Sequence, residues 1–432
     1  MKFRINKAVA DVQWAFISLG TASLAHFLLR ALLGRELGAE GLGIYTLAFT
    51  IYLLGMQFAA FGIGSAITKF VAEYNTKSDT VNNYTSSGLF ISIVTGTLMG
   101  IILFLTAPIV ASTIFHTPEL GYMLQLIALC FPFISVQKAV LGALNGLRRM
   151  RQFAFLNIIH NVIVVVFSLL LVMVYNMGTI GAVFGLAIPT IIIGALSPLM
   201  ISKYIKVNLS PKAIQLIRPL LSFGFFIVIG NSIGYLNTQI DSILIGFYQG
   251  PTEVGVYAVA ILLAQSLTLL PTAIQHLTSP VTAMLYAKGD IEQVRKLVNS
   301  TIRKSILVTT IMAVIIALLG RYLIIQLFGE EYLSSYAPLL VLLIGYAIYS
   351  SYISIGATLS SINKVRVPYK ISALCAMMNI VLNILLIPTI GIVGAALSTS
   401  ISMILNFTLA LLAIRYYLGD KCLAKMTGIG TS

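Results

Sequence analysis

Several side chains able to bind charge or sugar hydroxyls fall inside long apolar runs of this chain. His26 and Arg30 are four residues apart and share one helical face. Asn231, Gly234, Thr238 and Asp241 follow i, i+3, i+7, i+10 spacing, which draws one polar stripe along a helix. Charges at membrane depth are costly and turn toward protein interior or water, so Arg30, Asp241 and Lys138 are the ionisable candidates for a polar cavity. Cationic groups and amides suit an anionic, hydroxyl-rich head group. A buried carboxylate suits a cation, which makes Asp241 the candidate for ion coupling; His26, whose type titrates near neutral pH, is the second. Gln265 and Gln275 flank Pro271 and, with His276 and Pro280, mark a bent stretch that can wall a cleft or act as a hinge. Gln57, Asn157, Asn161, Asn379 and Asn383 add further amides. Each also has an ordinary structural role open to it: Arg30 snorkelling near the surface, Asp241 pairing with it or with Arg35, His26 hydrogen-bonded inside the protein, and amides bonding helix to helix.

The elements that position these residues follow from composition. Of 432 residues, 58% are hydrophobic and 9% charged, against about 25% charged in soluble domains, and the mean hydropathy is +0.97. The chain is therefore an all-α, polytopic membrane protein, since its apolar runs are continuous rather than alternating. With about 20 residues per crossing, twelve spans are expected near 12–33, 42–67, 86–111, 120–146, 152–175, 178–202, 219–246, 253–285, 303–327, 335–361, 368–388 and 391–416. The loops leave no room for a soluble domain. The first run has no small-residue cleavage site and reads as a retained helix. Cys130, Cys375 and Cys422 fall in no CxxC or Cys/His pattern, so neither disulfide nor metal is expected; no cofactor is implied.

Placing the amino terminus in the cytoplasm puts 24 of the 27 Lys and Arg at that face, leaving Arg30, Arg35 and Arg321 outside. Both termini are then cytoplasmic, as the positive-inside rule requires. The net charge of +14 is dispersed over loops and tails, which fits anionic lipid headgroups and gives no basis for nucleic-acid binding.

The chain also repeats. Gly34, Gly38, Gly43 and Tyr45 recur with identical spacing as Gly246, Gly250, Gly255 and Tyr257. Leu144, Leu147, Arg149 and Arg151 align with Leu359, Ile362, Lys364 and Arg366, and Gly178, Gly181 and Ala182 with Gly391, Gly394 and Ala395. Six spans per unit is an even number, so two six-helix bundles, residues 1–210 and 211–432, are expected about a pseudo-two-fold axis along the membrane normal. The offset places His26 opposite Thr238 and Arg30 opposite Ser242. The glycines are expected to form the tight outer turn.

At Arg35, Leu37, Gly38, Glu40, Gly41, Gly43 and Tyr45, and again at Asp241, Ile245, Gly246, Val254, Gly255 and Tyr257, the chain resembles the O-antigen-type polysaccharide-biosynthesis flippases of the multidrug/oligosaccharidyl-lipid/polysaccharide (MOP) exporter superfamily. The resemblance implies a V-shaped pair of bundles moving a polyprenyl-diphosphate-linked oligosaccharide from the inner to the outer leaflet of the cell membrane by alternating access. It also implies glycan polymerase or glycosyltransferase partners. Many members have fourteen spans; twelve are read here.

Two other functions compete. A drug or organic-cation antiporter of the same superfamily calls for buried carboxylates, which the first half lacks in mid-span. An embedded enzyme calls for clustered acids or a metal site, whereas the adjacent pair Glu330 and Glu331 reads as a solvated loop. A GxxxxGK[ST] phosphate loop is absent from the sequence, so transport energy is expected from an ion gradient, the membrane potential or consumption of the product.

Overall fold

In the computed structural model, residues 2–206 and 211–419 are described, with side chains from residue 13 onward except 15, 16 and 19. Lys421, Cys422 and Lys425 lie outside the described residues, as do the side chains of Lys2, Arg4, Lys7 and Asp11. All regular structure among the described residues is helical. In order these are α1 Lys2–Ala60, α2 Ile63–Glu73, α3 Ser78–Ile109, α4 Glu119–Ala128, α5 Phe131–Gly146, α6 Met150–Leu169, α7 Gly178–Leu196, α8 Pro211–Gln215, α9 Ile217–Gln249, α10 Pro251–Gln265, α11 Leu269–Ala287, α12 Ile291–Leu327, α13 Tyr336–Ile355, α14 Thr358–Ser361 and α15 Arg366–Tyr417.

Among the described residues, ten helices are long and apolar enough to cross a membrane, or eleven when α4 and α5, bent by 42°, form one crossing. One of the ten, Gly20–Ala60, has 41 residues, or about 60 Å at 1.5 Å per residue, twice the hydrocarbon thickness. It is broken at Gly38 (φ 70°, ψ 178°), a conformation essentially restricted to glycine. Twelve crossings follow only if that break separates two. The expected second span, 42–67, is interrupted as well: α1 ends at Ala60, Phe61 and Gly62 have φ of 44° and 63°, and α2 restarts at Ile63.

The chain forms two compact units. One runs to Tyr235 and includes Gly250–Gly255; the other comprises Leu236–Gln249 and the chain from Val256. Within the first, Ile63, Ile67, Val71, Val140 and Leu144 anchor the core; within the second, Val294, Val298, Leu359, Ile362 and Ile414 do so. Large apolar side chains such as Leu98, Leu105, Leu318 and Leu385 are exposed, as lipid-facing surfaces require.

The sequence repeat has a counterpart in local backbone geometry. Gly250 has φ 87° and ψ 179°, matching Gly38. The aligned pairs Arg148 and Asn363, and Gly178 and Gly391, also share positive φ. Gly43 and Gly255 do something else: they permit a close backbone crossing within the first unit. A Cβ on Gly43 would lie 1.7 Å from the Pro251 carbonyl oxygen, and one on Gly255 2.0 Å from that of Ala39. Gly43→Ala and Gly255→Ala are each expected to lower the melting temperature of the solubilised protein by several degrees, the effect of about 1–3 kcal/mol of overpacking. Gly20→Ala, in open space within α1, does not lower it, since alanine favours the helix.

Two prolines explain further breaks. Pro271 cannot donate to the Leu267 carbonyl and its ring crowds it, so the chain passes through a 3-10 turn, Ser266–Thr268, between α10 and α11. Ser350 Oγ donates to the Leu267 oxygen instead, at 3.3 Å. Pro132, near the start of α5, has the same relation to the bend after α4.

Candidate functional site

The first unit holds a partly open pocket of about 130 Å³ between α1, α5, α6 and α7. Its polar lining is His26 and Tyr52 from α1, Gln137 and Lys138 from α5, and Asn157, His160 and Asn161 from α6. Leu53, Met56, Leu141, Val164 and Leu186 supply apolar walls. No Asp or Glu lines it.

Close packing sets these groups. Gly142 of α5 meets Gly64 of α2 so tightly that a Cβ would lie 2.1 Å from the Gly64 oxygen, and Thr68 Oγ1 lies 2.9 Å from both the Gly64 and Gly142 carbonyl oxygens. That contact fixes the helix turn above Lys138. On α6, His160 Nε2 lies 3.1 Å from Thr190 Oγ1. The Thr190 hydroxyl proton goes to the Leu186 carbonyl at 2.7 Å, so His160 Nε2–H donates to Thr190 and Nδ1 remains for other partners. Asn161 Nδ2 donates to the Asn157 carbonyl at 2.7 Å and its side chain is a hydrogen-bond partner of His26.

Arg30 lies one turn beyond His26. Its guanidinium sits 5.4 Å from the centre of the Phe49 ring, which also contacts the His26 ring at 5.7 Å. Tyr45, Phe49 and Tyr52, at i, i+4 and i+7, form an aromatic row continued by Phe131. Among the described residues, no carboxylate pairs with Arg30 or Lys138; the ion pairs are Lys206–Asp79 and Lys296–Glu292.

The second unit buries a group of opposite charge. Asp241 of α9 is 2% exposed. Tyr257 OH donates to its Oδ2 at 2.8 Å, Asn383 Nδ2 to its Oδ1 at 2.8 Å, and Thr399 Oγ1 to its Oδ2. Asn379 Nδ2 donates to Thr399 Oγ1 at 3.2 Å, and Asn379 Oδ1 accepts from Asn383 at 3.1 Å. Asn383 Oδ1 is buried without a partner. These carboxylate, amide and hydroxyl oxygens are the ligand type of a hard cation, and a proton on Asp241 is the other charge they can hold. The aligned tyrosines therefore serve opposite charges: Tyr257 donates to Asp241, while Tyr45 lies beside Arg30.

The polysaccharide biosynthesis protein family matches residues 8–286, which includes every helix lining the first-unit pocket as well as Asp241 and Tyr257. The chain belongs to that family. The MatE family matches residues 227–385, as expected within the MOP superfamily. Among curated members, the chain is 25% identical to the lipid II flippase MurJ of Bacillus subtilis, over 90% of this chain and 79% of that one. It is 24% identical to the probable low-salt glycan biosynthesis flippase Agl15 of Haloferax volcanii, over 87% and 76%. A multidrug resistance MATE family transporter of the MOP superfamily, in its inward-facing conformation, has the same fold: TM-score 0.76 at 13% identity, covering 96% of this chain and 99% of that one. The chain is thus a multi-pass membrane protein of a transporter family.

Within this family member, the sequence-selected residues separate into sets. His26 and Lys138 share the first-unit pocket, with Arg30 beside its aromatic wall. Asn231 Nδ2 donates to Gln57 Oε1 at 3.3 Å, also in the first unit. Asp241 is buried in the second unit, whereas Asn231 and Thr238 on the same helix are exposed, so the stripe divides. Gln265 is a hydrogen-bond partner of Tyr346. Gln275 packs on Gly356, 2.9 Å from where a Cβ would stand. Glu330 and Glu331 are exposed in a 3-10 turn, and Cys130 and Cys375 are buried and unbonded to each other.

His160 and Thr399 are site residues outside the sequence motifs. His160 carries a readable signal, standing at i+3 from Asn157 and next to Asn161 on α6. Thr399 carries none, because threonine is ordinary in membrane helices and its partner Asp241 is 158 residues away.

Proposed function

We propose that this protein is a flippase that moves a polyprenyl-diphosphate-linked oligosaccharide from the inner to the outer leaflet of the cell membrane by alternating access. The observation that carries the proposal is the polar interior of the first unit, which has lysine, histidine and amide groups and no carboxylate. Such a lining complements a diphosphate and sugar hydroxyls and repels an organic cation. The names of the curated relatives, a lipid II flippase and a glycan biosynthesis flippase, support the same substrate class.

Arg30, His26, Lys138, Asn231, Thr238, Gln265 and Gln275 serve the path of the polar head. Asp241 binds the coupling cation, with His26 the second candidate for a proton. Both termini lie in the cytoplasm, the halves 1–210 and 211–432 are related by a pseudo-two-fold axis along the membrane normal, and glycan polymerase or glycosyltransferases are the partners. No catalytic step is needed for this transport. The buried carboxylate of Asp241 and the MatE match favour one alternative, a drug or organic-cation antiporter.

Translocation in proteoliposomes separates the two. A fluorescent polyprenyl-diphosphate oligosaccharide is expected to cross at least tenfold faster than in protein-free vesicles, with no accelerated movement of an organic-cation dye. Dye movement without glycan-lipid movement would establish the antiporter.

A further inference from the structure

The Lys138 side chain lines a partly open pocket, no acid faces it among the described residues, and His26 and His160, two further potential cations, share the lining. An uncompensated ammonium at membrane depth is costly. The balancing charge must come from what the pocket binds.

The remaining lining describes that ligand. His160 uses Nε2–H on Thr190, so its Nδ1 accepts in the neutral ring and donates to an anion only as the imidazolium. Gln137 is 1% exposed, and its Oε1 is buried without a partner; turning the amide over offers Nε2 instead, since the two ends of an amide are interchangeable in shape. Asn157, Asn161 and His26 add further hydrogen-bonding groups to the lining. The volume of about 130 Å³ far exceeds the ~10–15 Å³ that one water requires, so the site has room for a polyatomic anion. A tetrahedral group with several acceptor oxygens uses such a donor set fully, whereas a halide does not.

We propose that the pocket inside the first unit is a phosphate or diphosphate site, with Lys138 as its charge and His26, Gln137, Asn157, His160 and Asn161 as its hydrogen-bonding wall. This deepens the flippase proposal and rests on it for the identity of the natural ligand, the diphosphate of a lipid-linked glycan. The same chemistry belongs to a soluble diphosphate and to a phospholipid headgroup.

The test uses the full-length protein in nanodiscs of zwitterionic lipid, titrated calorimetrically with inorganic pyrophosphate and with farnesyl diphosphate, and repeated in discs containing phosphatidylglycerol. Saturable binding of either diphosphate is expected, weakened at least tenfold by Lys138→Met, several-fold by His160→Gln, and kept within a few-fold by Lys138→Arg. Binding of farnesyl diphosphate with competition by pyrophosphate assigns the site to a lipid-linked diphosphate; binding of pyrophosphate alone assigns it to a soluble anion. Loss of pyrophosphate binding in phosphatidylglycerol discs, with Lys138-dependent binding in zwitterionic ones, assigns it to a phospholipid headgroup. Should Lys138→Met fail to fold, Lys138→Gln and His160→Gln carry the comparison. Binding of neither diphosphate, or equal affinity in folded Lys138 variants and wild type, overturns the proposal. Glycan-lipid transport that is absent while Lys138-dependent diphosphate binding persists refutes the flippase function and leaves the site standing; intact transport with no such binding does the reverse.

Discussion

Asp241→Asn is expected to abolish the dependence of transport on an ion gradient while leaving a folded protein. The carboxylate accepts from Tyr257, Thr399 and Asn383 inside the second unit. An asparagine has the same shape. Its oxygen can still accept from Asn383 Nδ2, and its amide can donate to the Tyr257 and Thr399 hydroxyls, which rotate to accept. The hydrogen bonds survive; the negative charge does not. Removing one partner of a buried charge interaction costs about 3–5 kcal/mol, so the gradient-driven rate should fall roughly 100- to 5,000-fold. Proteoliposomes with imposed sodium, proton or potential gradients, each applied alone, measure this directly and identify the ion. A gradient response in Asp241→Asn equal to that of wild type would remove the residue from coupling and leave it a packing group. Tyr257→Phe, which withdraws one of the three donors, should give a smaller loss.

Arg30→Ala is the second large effect, read as glycan-lipid translocation. Its guanidinium lies against Phe49 and close to Tyr45, with no carboxylate partner among the described residues. A charge-assisted hydrogen bond to an anionic substrate contributes about 1.5–3 kcal/mol, so truncation should slow translocation roughly 10- to 100-fold at every gradient, unlike Asp241→Asn. Arg30→Lys preserves the charge but loses the guanidinium fork beside the ring, and should fall between. Equal rates for Arg30→Ala and wild type, with unchanged thermal stability, would mean that Arg30 only anchors its helix at the membrane boundary.

The limits of sequence reasoning show in the glycines and in the polar stripe. The motif predicts a tight turn at Gly38 and Gly250, and their shared backbone angles fit it because a left-handed, extended conformation is a local demand of the turn. Gly43 and Gly255 belong to the same motif, yet their role is a helix crossing set by the backbones of Pro251 and Ala39. A motif search treats the four alike. Only the packed chain separates torsional need from lack of space.

Helical spacing likewise joined Asn231 to Asp241 correctly as neighbours in angle on α9. Angle alone could not tell that Asn231 is exposed beside Gln57 whereas Asp241 is buried against Tyr257, Asn383 and Thr399.

Sequence by itself determined the medium, the helical class and the family, because the cost of unpaired backbone in lipid leaves a long apolar run few alternatives and because the repeat and its glycines are written in order along the chain. Tertiary structure decided which polar residues meet. Lys138 and His160 are brought together by the packing of two consecutive helices, and Asp241 and Thr399 by helices distant in sequence, and whether a buried charge finds a counter-charge depends on those meetings. In the first unit it finds amides and imidazoles around a cavity; in the second it finds hydroxyls and amides around a carboxylate. That division of charge between the units is a property of the packing.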